Sequence, residues 1–78
     1  MEERKLVKLE TLLNLCGDFD LKMVLLTEED CAPRIEPLSN AYYMELCKDK
    51  YVHFIDHFRN AFIFSVDLTA DYNKEENL

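Results

Sequence analysis

Residues 51–68, YVHFIDHFRNAFIFSVDL, constrain the fold more than any other stretch, because two hydrophobic periods meet there with room for only a turn between them. Tyr51, Phe54, Ile55 and Phe58 stand at i, i+3, i+4 and i+7, the stripe of an amphipathic helix. Asp49 suits its N-cap, and Arg59 with Asn60 suits its C-terminus. From Phe62 the period becomes two. Phe62, Phe64, Val66 and Leu68 point one way, and Ile63, Ser65 and Asp67 the other, which predicts a strand with one buried face. A small core has to be built on this stretch.

Upstream, Leu6, Leu9, Leu12, Leu13 and Cys16 predict a helix over 5–16, and Gly17 stands where a C′ glycine would supply a positive φ. Residues 21–27, LKMVLLT, read as a strand with apolar residues on both sides, hence central or covered on both faces. Pro33 and Pro37 exclude a helix interior or a central strand over 33–37, leaving an edge strand or an extended loop. A second helix is expected over 41–47, capped by Ser39 or Asn40, with Tyr43, Leu46 and Cys47 inward and Tyr42 outward. Residues 68–78 are polar and acidic and are expected to fray. The fold class expected is α+β: one domain over 1–78, two to three helices on one face of a short two- to three-stranded sheet. Two strands alone do not make a stable sheet. Either 33–37 supplies the third or a second copy of the chain completes it, so a homodimer is one expectation.

Composition narrows the function. The 78 residues make one domain that buries roughly 60–65% of its unfolded surface. Sixteen acids against nine bases give a net charge of −7. Direct nucleic-acid binding is disfavoured, because it rests on Lys and Arg displacing counterions. A basic protein surface is the better-matched partner. No apolar run approaches the roughly 20 residues that span a bilayer, so no membrane partner is expected and the expected location is cytoplasmic. Cys16, Cys31 and Cys47 are odd in number and form no C-x-x-C pair, which predicts free thiols.

No catalytic signature emerges and no cofactor is implied. His53 and His57 lie at i and i+4, one helical face and a chelating spacing, so they are weak metal candidates. Phe54 stands where a zinc protease needs its general-base Glu, and no third ligand has a diagnostic spacing. Solvent-facing histidines are the simpler reading. With one glycine, a glycine-rich phosphate loop is impossible. Carboxylates in polar turns stay ionised and lack the split pKa values that acid–base work requires. A non-enzymatic role is expected. Acidic turns flank both strands: Asp18 and Asp20, then Glu28, Glu29 and Asp30, then Asp67 and Asp71. Should the two strands be neighbours, these acids gather into one negative patch, with the outward Tyr42 as an aromatic anchor.

The opening KLETLLNLCGDFDLKMVLL and the closing FIFSVDL, about a third of the chain, resemble segments of small proteins encoded by phages and mobile elements of Firmicutes. That group includes anti-CRISPR inhibitors of bacterial defence systems. The resemblance implies an inhibitor acting inside a bacterial host cell and assigns no residue a role. The competing expectation is a self-associating structural or regulatory module that uses a sheet edge or the aromatic helix.

Overall fold

The computed structural model describes residues 6–17 and 21–74. In chain order the elements are β1 (Val7–Lys8), α1 (Leu9–Leu15), β2 (Leu21–Thr27), β3 (Arg34–Pro37), α2 (Ala41–Cys47), β4 (Tyr51–Val52), β5 (Phe54–Phe58) and β6 (Ala61–Asp67). A 3-10 turn at Asp71–Asn73 follows. The chain is therefore α+β, but with more sheet than its periodicity predicts. Four strands run in the order β3-β2-β6-β5, and β1 pairs with β4 in a separate ribbon.

The centre of the sheet is parallel. β2 and β6 lie side by side in register from Leu21↔Ala61 to Thr27↔Asp67. β3 joins β2 antiparallel, and β5 joins β6 antiparallel. β3 is the edge strand that the two prolines allow, with Pro37 at its last position.

The predicted helix over 51–58 does not form. Its residues become β4 and β5, separated by His53. Phe58 pairs with Ala61, so Arg59 and Asn60 make a two-residue hairpin, and Arg59 takes φ 59°. A positive φ at the first central residue alone belongs to the II′ turn, whose twist matches paired strands. The FIDHF segment also reads as a strand, with Phe54, Asp56 and Phe58 alternating against Ile55 and His57. The helical stripe used the same apolar residues, and pairing with β6 decided between them.

The core lies between one face of the sheet and the two helices. Val24, Leu26, Phe64 and Val66 from the sheet meet Leu9, Leu38, Cys47 and Val52, all buried. Leu12, Leu13, Tyr43, Met44 and Leu46 pack against this cluster. α1 is shorter than predicted and starts without a side-chain cap. Two of its first N–H groups are satisfied instead by backbone carbonyls, Leu9 donating to Lys50 (2.9 Å) and Glu10 to Lys48 (3.0 Å). Gly17 has no positive φ, so it is not the predicted helix stop of that kind. α2 forms as predicted, and the Asn40 side chain accepts from the Tyr42 N–H (2.9 Å).

Beyond Leu68, where fraying is expected, the chain forms the 3-10 turn at Asp71–Asn73. Asn73 is buried and clamps the segment to the sheet. Its amide oxygen accepts from the Tyr51 N–H (2.5 Å), and its amide nitrogen donates to the carbonyls of Tyr51 and Asp67 (3.0 Å each). A side-chain amide thus does for Tyr51 what a neighbouring strand would do.

Candidate interaction surfaces

Parallel pairing fixes where the acids go. Because β2 and β6 run the same way in register, the turns that follow them leave the sheet at one end. The Leu68 N–H donates to the Thr27 carbonyl (2.9 Å) and ties the two exits together. Glu28, Glu29, Asp30, Asp67 and Asp71 therefore gather at that end. Asp18 and Asp20 lie outside the described residues, so the patch consists of the other five.

These carboxylates differ in their surroundings. Arg34 pairs with Glu28 (2.7 Å) and with Glu36 (3.0 Å). Lys74 approaches Asp71 at 3.9 Å. Glu29 and Asp30 are exposed, and among the described residues neither makes an ion pair. Asp30 turns the chain with φ 64°, a conformation that aspartate tolerates better than most residues. Asp67 accepts from the Thr69 hydroxyl (2.6 Å) and N–H (2.9 Å). The Thr69 hydroxyl is the main cause that holds its carboxyl below the ordinary aspartate range.

A relay of contacts brings Tyr42 toward this end. The Arg34 guanidinium, paired with Glu28, sits 5.8 Å from the Tyr43 ring centre, and Tyr43 meets Tyr42 edge-on at 5.0 Å. Tyr42 itself is 65% exposed, as its position on the helix predicts.

A second surface escaped the sequence reading. The helices cover only one face of the sheet, so β2 is central but not covered on both sides. Register and alternation put Leu21, Met23, Leu25, Ile35, Ile63, Phe54 and Phe58 on the other face. Among the described residues, none of them joins the core or packs against it. Phe54 is 59% exposed, Phe58 62%, Leu21 57% and Ile35 50%. The available signal was the run of apolar residues on both sides of β2, together with phenylalanines two apart from Asp56 in β5.

The histidines do not come together as a chelate. His53 joins β4 to β5 and His57 lies within β5, so the helical face they were expected to share does not exist. Residues four apart in extended chain are separated by roughly 13 Å, too far for one ion. The His57 ring instead lies 4.4 Å from that of Phe62. Among the described residues, no group of three or more His, Cys, Asp or Glu is placed to hold a metal. All three cysteines are free, with Cys31 exposed and Cys47 buried. Burial pushes the Cys47 thiol up to about 11, so it stays protonated and unreactive at neutral pH.

Open clefts also occur among the described residues. One of about 260 Å³ lies between Met23 and Met44, with Lys22 as its titratable side chain. Another, about 310 Å³, is lined by Val7, Leu12 and residues 52–55, with His53 as its titratable group. Ser39 also lines the first, and the second holds no hydroxyl or thiol. No helix among the described residues is long and apolar enough to cross a membrane. Comparison of the chain with protein-family models, curated proteins and solved structures finds no match.

Proposed function

We propose that this chain is a non-enzymatic interaction protein whose acidic sheet end engages a basic protein surface. The observation that carries the reading is the in-register parallel pairing of β2 and β6, which delivers two acidic turns from distant parts of the sequence to one place. Clustered carboxylates on a rigid support focus a negative field on one side of the molecule. That field draws a basic groove and competes there with the phosphates such a groove holds. The partner class is therefore a nucleic-acid-handling protein, and the mode of action is inhibition by occupying its groove, in line with the resemblance to phage-type inhibitors. Tyr42 supplies an exposed aromatic anchor beside the charges. A catalytic role has less support, because the buried Cys47 thiol is inert and the histidines do not converge.

The test is capture from a bacterial lysate with wild type and Glu29→Lys/Asp71→Lys as baits. Both residues are exposed, so the variant keeps the fold. Wild type is expected to retain a basic nucleic-acid-handling protein that duplex DNA displaces, and the variant to lose it. Equal retention by the two baits contradicts the reading.

A further inference from the structure

We infer that the open face of the sheet is the seat of a second copy of this chain, giving a two-fold dimer of sheets packed face to face. Size sets the first condition. Phe54, Phe58, Leu21 and Ile35 are each half-exposed or more, and a large apolar side chain has roughly 150–250 Å² to hide. The patch thus offers on the order of 500 Å², at the upper end of what a lone small domain exposes. Two such patches together remove on the order of 1,000 Å², the lower limit for a specific interface. That is the size of a reversible interface, not an obligate one.

Charge decides the occupant. Within the register set of this face, Asp56 on the edge strand and Asp67 at the acidic end are the charged residues. A partner drawn by charge is drawn to the sheet end. The two carboxylates at the margins of the face give a basic partner less to read than the sheet end does, whereas a largely apolar surface related by a two-fold axis is complementary to itself. Face-to-face sheets with their strand directions roughly aligned are a common packing. The chain also needs the burial, since among the described residues the core holds eight buried apolar side chains and domains below about 80 residues rarely gain much from one core.

Each copy carries −7, so the copies repel at long range. That favours a two-fold axis running across the strands, in the plane between the sheets. Rotation about it reverses strand direction and sends the two acidic ends to opposite extremes of the dimer. It also lays β5 over β5, so that Phe54 of one copy meets Phe58 of the other and the exposed Asp56 carboxylates face each other at the sheet edge, adding to the repulsion that salt relieves. The edge of β5 is a poorer joint. The Asp56 carboxylate already accepts from the His57 N–H (2.8 Å), a local cap on a donor that an added strand would need.

This inference does not rest on the acidic end binding anything, and salt separates the two. Screening relieves repulsion between like-charged copies, so raising salt from about 50 to about 500 mM tightens the dimer, whereas it weakens binding to a basic partner. The experiment is sedimentation equilibrium of the full chain from micromolar to high-micromolar concentration, with nuclear magnetic resonance spectra over the same series. Wild type is expected to move from monomer to dimer mass, with concentration-dependent shifts at Met23, Leu25, Ile63, Phe54 and Phe58. Phe54→Ser/Phe58→Ser is expected to raise the dissociation constant at least about a hundredfold, each ring being worth roughly tenfold or more. A wild type that stays monomeric throughout overturns the inference. So does a dimer whose shifts fall on α1 and α2, or one that the double variant leaves intact.

Discussion

Asn73 is the residue on which the C-terminal segment depends. Its side-chain amide makes three hydrogen bonds, two of them to the backbone of Tyr51, from a buried position. Asn73→Ala leaves a buried N–H and carbonyls without partners, which costs roughly 2–3 kcal/mol, a large share of a small domain's stability. Urea denaturation is expected to show the midpoint falling accordingly; an unchanged midpoint contradicts the clamp. Asp67 makes stability depend on pH. Its folded-state pKa is depressed, chiefly by the Thr69 hydroxyl, so it binds its proton less tightly folded than unfolded. Its contribution is complete above the unfolded value of about 3.9 and is lost as pH falls through the lower folded value. Thermal melts below pH 4 are expected to show less acid sensitivity in Asp67→Asn than in wild type. Equal sensitivity means that another carboxylate carries the effect. Neither role was legible in the sequence. An asparagine near a polar C-terminus reads as solvated unless the strand end it caps is known.

At the scale of elements, α2 and β6 were legible from a single period and β2 from a short apolar run, each over seven residues with a clear boundary. β3 followed from its prolines as one of two options. The segment 51–58 misled because its apolar residues satisfy two periods. An isolated short helix is marginal, whereas the segment gains a full ladder by pairing with β6. The turn that enforces this pairing carries strain, since Arg59 occupies the left-handed region without being glycine. Arg59→Gly is expected to stabilise the chain by about 0.5–1 kcal/mol, net of glycine's entropy cost and of the weak contact between Arg59 and the Phe58 ring. Differential scanning calorimetry reads this directly. A lower melting temperature in the variant contradicts the hairpin geometry.

For the whole molecule, the acidic patch was legible only as a conditional. The sequence displays acids after each strand, but whether they meet depends on strand direction and neighbours, which are long-range facts. The parallel β2–β6 pair brings the turns after the two strands out at one end of the sheet. The open apolar face was not legible, because apolar residues on both sides of a strand signal cover on both sides as readily as one bare face. The molecule thus presents two surfaces of different character: a charged sheet end, proposed for a basic partner, and a largely apolar face, proposed for a second copy. In the proposed dimer the two acidic ends stand apart, which leaves both open to the proposed partner. The most direct test of the central claim is the affinity of the captured basic partner as ionic strength rises from about 50 to about 300 mM. A steep loss of affinity in wild type, flattened in Glu29→Lys/Asp71→Lys, is the result expected. A wild-type affinity that does not change with salt contradicts the claim that the acidic end does the binding.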